Sequence, residues 1–196
     1  MESLTMWAED ITFIIDKLEE LNQSEGILYN KLDLDKIGVI GHSFGGAASG
    51  QACLVEKRCK AGVNLDGLQI GDMIRRPLEK PFMFIHHDNK AAVNKTPNIL
   101  FFNQSKSTAY MLLIKGTSHF NFSDLSLSLY SKILKPPQGF LGSIDGYRCL
   151  KIQNDYVRAF FDKHLCNKEV DLLNRPSKDY PEVDIETTTR RFAISR

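Results

Sequence analysis

The pentapeptide GHSFG at residues 41–45 is the feature that most constrains how this chain folds. It follows the apolar run 37–40, which lacks alternation and is therefore typical of a strand covered on both faces. It precedes the small residues 46–50, which indicate the start of a closely packed helix. A G-x-S-x-G pattern between a strand and a helix predicts a nucleophile elbow. We therefore predict that Ser43 is a nucleophile raised above the end of a strand.

The neighbours of Ser43 fit the chemistry of such a turn. Side chains two positions before and after the serine would collide with nearby backbone, so we expect Gly41 and Gly45 to relieve that crowding. The following helix directs its N-terminal amides towards the serine. The backbone N–H of Phe44 is the predicted donor to an oxyanion.

A serine hydroxyl needs a base that takes its proton. The candidates are His42, His86, His87, His119 and His164. We expect His42 to point away from the neighbouring serine and His164 to be a solvated residue near a helix end. His119 follows the apolar run 110–114, so it should share the strand-end edge of the sheet with Ser43. We predict His119 as the base, because it also satisfies the chain order serine, acid, histidine.

Two aspartates compete for the role of the acid that orients the base. Asp66 directly follows the apolar segment 62–65, and Asp88 comes shortly after the apolar segment 82–85. Either carboxylate could fix the tautomer of the imidazole and stabilise its protonated form. The pattern of residues alone favours neither.

The rest of the chain repeats the alternation of strand and helix. Apolar strand-like segments at 37–40, 62–65, 82–85 and 110–114 alternate with helix-like segments at 9–22, 124–134 and 150–165. This order predicts an α/β fold with a mostly parallel sheet and helices on both faces. We expect a single domain over residues 1–173. Residues 174–196 show no period, so we predict an irregular tail there.

Several segments also resemble those of a known family. The matching segments are 9–22, 41–47, 65–67, 81–85, 115–124, 142–145 and 159–165. Through them the chain resembles the platelet-activating factor acetylhydrolases, the serine-dependent group VII phospholipases A2 of the α/β-hydrolase superfamily. The serine and histidine motifs carry most of this resemblance, which extends over most of the chain.

The resemblance implies a specific site and activity. Ser43 would be the nucleophile, Asp66 the acid and His119 the base, with no metal and no cofactor. Members of the family hydrolyse short or oxidised sn-2 acyl chains of phospholipids, such as that of platelet-activating factor, without calcium. The position of Asp88 is the one that many other hydrolases of the superfamily use. The alternative is therefore a broader carboxylesterase or polyester hydrolase with Asp88 as the acid.

The chain departs from the family in where it begins. In the family, the first half of the fold precedes the segment equivalent to 9–22, so the chain resembles a C-terminal portion without the N-terminal strands. The loop that supplies a second oxyanion donor would belong to the missing part. Strand 37–40 would then form an open sheet edge, which favours self-association. A truncated remnant without activity is a further alternative.

Composition excludes other classes and limits the partners. Lys and Arg number 25 against 24 Asp and Glu, and this balance argues against a nucleic-acid partner. No apolar run reaches the ~20 residues of a membrane span, and residues 1–10 lack the apolar core of a signal peptide. Secreted and cytoplasmic locations both stay open.

A phospholipid substrate would bring the chain into contact with a membrane or lipoprotein surface. Segment 124–134, with Lys132 and then Lys135 at head-group level, is the candidate lipid-facing helix. Packing of that helix on the sheet is the alternative. Phe120 and Phe122 either line an acyl pocket or belong to the core.

Overall fold

The fold consists of one sheet with helices packed against it. The computed structural model describes residues 2–88, 96–128 and 139–188. Within these ranges the helices are α1 (Glu2–Gln23), α2 (Phe44–Val55), α3 (Thr96–Gln104) and α4 (Gly146–Cys166). The strands are β1 (Ile37–His42), β2 (Cys59–Leu65), β3 (Phe82–His87), β4 (Ala109–Ile114) and β5 (Val183–Thr187). Short 3-10 turns lie at Asp72–Ile74, His119–Phe122 and Asp124–Ser126.

The sheet has the strand order β1-β2-β3-β4-β5. Strands β1 to β4 run parallel, with pairs such as Val39 with Gly62 and Ile85 with Leu112. Because the parallel strands share one direction, their carboxyl ends meet at one edge of the sheet, here called the carboxyl-end rim. Every residue that follows one of these strands is therefore delivered to the same side of the molecule.

Each face of the sheet is covered by helices, as the apolar strand segments predict. Successive side chains of a strand point to opposite faces. In β3, Ile85 belongs to the core that includes Tyr156 and Phe160 of α4. The adjacent Phe84 belongs to a second core, with Phe102 of α3 and Cys53 of α2. The predicted α/β fold with a mostly parallel sheet and helices on both faces is confirmed.

Local sequence signals explain where α4 begins and ends. Asp145 precedes the helix, and its side chain accepts a hydrogen bond from the Arg148 N–H at 3.0 Å. Aspartate at this position satisfies one of the amides that a helix N-terminus leaves without a partner. Asn167 ends the helix in the left-handed region with φ 53°. Asparagine tolerates this conformation better than most residues.

The prediction of an irregular tail over 174–196 is corrected by strand β5. Val183–Thr187 pairs antiparallel with β4, with Ile185 opposite Leu112. Val183, Ile185 and Thr187 are buried, whereas Asp184 and Glu186 are exposed. The alternation VDIET is the pattern of a strand with one covered face, which antiparallel strands commonly show. The single domain over 1–173 stays a prediction.

The predicted helix 124–134 also differs from the structure where it is described. Asp124–Ser126 form a 3-10 turn rather than the start of an α-helix. Ser126 and Ser128 direct their hydroxyls back to local carbonyls, which competes with helical hydrogen bonding. Residues 129–134, and with them Lys132, lie outside the described residues, as does Lys135. The lipid-facing role of this segment stays a prediction.

Strand β1 forms one edge of the sheet. In the described residues its backbone pairs with β2, and the side chain of Ile40 is 48% exposed. An apolar groove of about 480 Å³ separates the strand from α1, with Trp7, Ile14 and Val39 among its lining residues. Self-association through this edge stays a prediction. None of the described helices combines the length and apolar character needed to cross a bilayer.

Candidate active site

Ser43 lies at the tip of the turn between β1 and α2. Its backbone has φ 56° and ψ −123°, a sparsely populated positive-φ conformation outside the left-handed helical region, and such conformations cost about 1–3 kcal/mol. Hydrogen bonds hold it there, because the Ser43 N–H donates to Leu65 O at 2.9 Å and Ser43 O accepts from the Gly46 N–H at 2.9 Å. This strained turn is the predicted nucleophile elbow geometry.

Close approach of two backbone segments explains the glycines of the elbow. A Cβ on Gly41 would lie 2.1 Å from Gly45 O, and one on Gly46 would lie 2.2 Å from Asn64 Oδ1. A Cβ on Gly45 would meet only the Trp7 ring, at 3.9 Å. Gly41 is therefore required as predicted, but the second crowded position is Gly46 rather than Gly45.

His119 meets Ser43 at the carboxyl-end rim. It follows β4 in a short 3-10 turn that Ser118 and Asn121 cap reciprocally. This turn places His119 Nε2 3.1 Å from Ser43 Oγ. The separation is within the reach required of a general base. The structure thus brings together the predicted nucleophile and the predicted base from positions 76 residues apart.

Asp66 lies behind the His119 ring. It follows β2 with φ 54°, and its Oδ2 is 2.7 Å from His119 Nδ1. A Cβ on the next residue, Gly67, would lie 2.1 Å from Ser43 O. The Asp66 turn is therefore packed directly against the elbow.

Asp88, the alternative acid, makes a different contact. Its Oδ2 accepts a hydrogen bond from the backbone N–H of Gly116 at 2.8 Å. This bond connects the end of β3 with the start of the loop that carries His119. The structure therefore places Asp66 against the imidazole and Asp88 against the backbone of the same loop.

The hydrogen bonds define the protonation of the His119 ring. An ionised carboxylate can only accept, so Nδ1 of His119 carries the proton that it donates to Asp66. In the neutral ring Nε2 is then unprotonated and accepts from the Ser43 hydroxyl. This is the tautomer that can receive the proton of the serine.

The Asp66 carboxylate is surrounded by histidines. His119 Nδ1 and His87 Nδ1 lie 2.7 Å and 2.5 Å from its Oδ2, and His86 Nδ1 lies 3.9 Å from Oδ1. Burial by itself raises the pKa of the Asp66 carboxyl, but the nearby His86 ring and the hydrogen bonds from His87 and His119 outweigh it and hold the pKa well below its usual value. Asp66 therefore carries a stable negative charge behind the imidazole.

The same cluster is the candidate metal site of the described residues. Asp66, His87 and His119 offer ligand atoms that lie within 4.8 Å of one another. A tetrahedral zinc ion needs contacts of about 2.1 Å, which spaces its ligand atoms roughly 3.4 Å apart. Here Oδ2 already stands 2.5 Å and 2.7 Å from the two nitrogens. The carboxylate oxygen fills the point where they converge, so the cluster fits hydrogen bonds better than an ion.

His42, expected to point away from Ser43, contacts the site through His119. Its Nε2–H donates to the backbone carbonyl of His119 at 3.1 Å, and the two rings pack with centroids 4.7 Å apart. Burial, followed by the proximity of His119, lowers the pKa of His42. His87 also contacts the site, although the sequence predicts no role for it. Its position at the end of β3 was the available signal, since that end lies on the rim.

One aromatic pair lies next to Ser43 and another next to His119. Phe44, the first residue of α2, packs edge-on against Trp7 at 4.9 Å. Phe120 packs edge-on against His119 and stacks on Phe140 at 4.0 Å. As the first helical residue, Phe44 has an N–H that the helical ladder leaves available. Its role as oxyanion donor stays a prediction.

The expectation of a solvated His164 is wrong, and Phe120 and Phe122 lie in different environments. His164 is half-buried against Tyr110 and Phe160. Phe122 is 5% exposed and belongs to the core on the α4 face. Phe120 alone of the two phenylalanines contacts His119 in the described structure.

A family model and curated relatives are similar to this chain. The family model described as platelet-activating factor acetylhydrolase, isoform II, matches residues 14–180. The platelet-activating factor acetylhydrolase of Cavia porcellus is 29% identical over 188 residues, which cover 92% of this chain and 42% of that protein. The one of Canis lupus familiaris is 31% identical over 140 residues, covering 70% and 31%.

A fungal relative and a solved structure extend the comparison. A probable 1-alkyl-2-acetylglycerophosphocholine esterase of Arthroderma benhamiae is 30% identical over 167 residues, covering 76% of this chain and 42% of its own length. The structure of a ferulic acid esterase from Streptomyces cinnamoneus matches with a TM-score of 0.81 and 26% identity, covering 94% of this chain and 55% of that one.

The matches cover a small part of the relatives but most of this chain. The chain spans less than half the length of the curated relatives that it matches. Most of the chain itself, however, is covered by the family model, from residue 14 to residue 180. On that basis the chain belongs to the platelet-activating factor acetylhydrolase family, with an α/β-hydrolase fold.

Proposed function

We propose that this chain carries the catalytic residues of a serine esterase, which cleaves a carboxylic ester through an acyl-enzyme on Ser43. The observation that carries the proposal is a continuous hydrogen-bonded path. Ser43 Oγ lies 3.1 Å from His119 Nε2, and His119 Nδ1 lies 2.7 Å from Asp66 Oδ2. The esterase names of the relatives support the same class of reaction.

In the acylation step, Ser43 Oγ forms a bond with the ester carbonyl carbon while its proton passes to His119 Nε2. The carbonyl electrons move to the oxygen, and the resulting oxyanion accepts a hydrogen bond from the Phe44 N–H at the start of α2. Asp66 stabilises the imidazolium that forms. The ester C–O bond then breaks, and the imidazolium returns its proton to the leaving alkoxide.

Deacylation repeats these steps with water. His119 takes a proton from the water as the hydroxide attacks the acyl carbon, and the same N–H accommodates the oxyanion. Collapse of this second intermediate breaks the bond to Ser43 Oγ, which recovers its proton from the imidazolium. In this scheme His119 carries the proton in both steps.

For the substrate we propose a glycerophospholipid with a short sn-2 acyl chain, such as platelet-activating factor. The family resemblance and the names of the relatives support this choice. The pairs Trp7–Phe44 and Phe120–Phe140 offer apolar surface beside the serine and the histidine. Aromatic rings of this kind suit the apolar portion of an ester.

The replacement Ser43→Ala tests the reaction. The variant should lose hydrolysis of platelet-activating factor by a factor on the order of 10⁶ and should lose labelling by a fluorophosphonate, because the nucleophile is gone. Ser24→Ala is the matched control, since Ser24 is exposed after the end of α1 and its hydroxyl donates to the local carbonyl Glu20 O. Labelling of Ser43→Ala at the wild-type rate would refute the proposal.

An acyl-length series tests the substrate separately. The rates for sn-2 acetyl and sn-2 palmitoyl glycerophosphocholine should differ by at least about tenfold in favour of acetyl. Equal rates would remove the short-chain specificity and leave the esterase assignment in place. Absence of both hydrolysis and labelling in the wild-type chain would instead favour the alternative of an inactive remnant.

A further inference from the structure

His87 shares the oxygen of Asp66 that His119 uses. The His87 side chain is 0% exposed, and its Nδ1 lies 2.5 Å from Asp66 Oδ2. The backbone N–H of His87 donates to the other oxygen, Oδ1, at 3.1 Å. Both contacts come from the last residue of β3, whereas His119 reaches Asp66 from the loop after β4. The mechanism above assigns nothing to this second imidazole.

Two donors on one carboxylate oxygen compete for its charge. Each oxygen has about two lone-pair positions, so the N–H groups of His87 and His119 together occupy those of Oδ2. A hydrogen bond to an ionised group stabilises that charge and reduces what it offers to other partners. The His87 N–H therefore weakens the attraction between Asp66 and the imidazolium of His119.

Other titratable groups face this cluster without sharing that oxygen. His86 of β3 lies 3.9 Å from Oδ1. His42, at the end of β1, packs against the His119 ring and donates to its backbone carbonyl. Asp88 bonds to the backbone of Gly116. Among the described residues, His87 is thus the second ring within hydrogen-bonding distance of the oxygen that His119 uses, whereas His86 faces the other oxygen from 3.9 Å.

We propose that His87 is a positioning residue for the esterase reaction, which holds the Asp66 carboxylate in place and limits how strongly it stabilises protonated His119. The inference rests on the proposed function. Its consequence is that His119 remains able to accept the serine proton at a lower pH than it would with Asp66 alone behind it.

A pair of substitutions separates this role from simple packing. His87→Asn places an amide N–H close to the position of Nδ1, whereas His87→Leu fills a similar volume without a donor. In the Leu variant the acid limb of the pH–rate profile should move about one unit to higher pH, because Asp66 then acts on His119 alone. The Asn variant should keep the wild-type profile. His164→Gln is the control for replacing a half-buried histidine remote from the rim.

The pattern of outcomes decides the proposal. An unchanged acid limb in His87→Leu, or equal shifts in the Asn and Leu variants, would overturn it. A fall in rate at every pH without a shift would indicate packing alone and would overturn it as well.

A spectroscopic experiment tests the shared oxygen without depending on activity. In Ser43→Ala labelled with ¹⁵N-histidine, two strongly downfield imidazole N–H protons should be visible, and both should move in the Asp66→Asn background. A single such proton would overturn the inference even in an active enzyme. Two such protons, together with a wild-type chain that hydrolyses no ester, would refute the proposed function and leave the shared oxygen established. This spectrum also decides the matter if His87→Leu does not fold.

Discussion

The two ends of the parallel sheet place histidine in opposite environments. At the carboxyl-end rim, His87 and His119 donate to the Asp66 carboxylate, and His42 donates to a backbone carbonyl. Near the amino end of β4, His164 packs against the rings of Tyr110 and Phe160, with its Nε2 3.1 Å from the Tyr110 hydroxyl. Among the described residues, the rim is where histidines face a carboxylate.

The difference shows what burial alone does to an imidazole. Burial, with a smaller effect of Lys163, lowers the pKa of His164 to about 4, so this ring stays neutral at physiological pH. Burial also raises the pKa of Tyr110 beside it, to about 12. At the rim, the charge on Asp66 offsets the loss of solvent around a protonated ring. A buried histidine thus becomes a useful base only where a charged acceptor stands behind it.

The largest effect is expected when the carboxylate at the rim is neutralised. Asp66→Asn should lower kcat for ester hydrolysis by about 10⁴-fold, because an amide cannot stabilise the imidazolium and favours the wrong tautomer. Asp88→Asn should change kcat by less than about threefold, since its amide oxygen can still accept the N–H of Gly116. Steady-state kinetics of both variants would check this.

Circular dichroism and urea unfolding serve as the control for this pair, because both aspartates support the same loop. A larger loss in Asp88→Asn than in Asp66→Asn, in folded protein, would reassign the acid and favour the broader carboxylesterase alternative.

The contrast between these aspartates also shows how much of the site can be predicted from the sequence. Parallel strands and the rim follow from unbroken apolar runs, and they place Ser43 and His119 together without any coordinates. Asp66 and Asp88 follow neighbouring strands, so the pattern of strands cannot separate them. The left-handed turn at Asp66 and the bond from Gly116 to Asp88 make that distinction.

Other features depended on contacts between distant segments. Strand β5 has a readable alternation at Val183–Thr187, but it follows an aperiodic stretch, and its partner is known only once β4 is placed. The directions of His42 and His87 depend on side-chain packing across neighbouring strands. These directions cannot be predicted from spacing along the chain, so the sequence predicts no role for either ring.

A smaller effect is expected from His42, whose ring packs against His119. His42→Phe keeps an aromatic ring but removes the N–H that donates to His119 O, whereas His42→Gln keeps an N–H without the ring. Loss of one hydrogen bond of about 1 kcal/mol should lower kcat of the Phe variant about fivefold. The Gln variant should stay within about twofold. Equal kcat in Phe and wild type would show that the bond does not orient the base.

The smallest effect concerns the amino end of the sheet and is measured as stability. Because the folded chain holds the pKa of His164 near about 4 against an ordinary value of 6.5, its contribution is complete above 6.5 and is lost as pH falls towards 4. Solvent screening of this half-exposed ring reduces the effect to on the order of 1 kcal/mol. Urea unfolding at pH 7 and pH 4.5 should therefore show a smaller acid loss in His164→Gln than in wild type. The carboxylates titrate alike in both chains, so the difference between the two losses isolates His164. Identical losses would mean that burial does not keep this ring neutral. The difference between the histidine environments at the two ends of the sheet would then not hold.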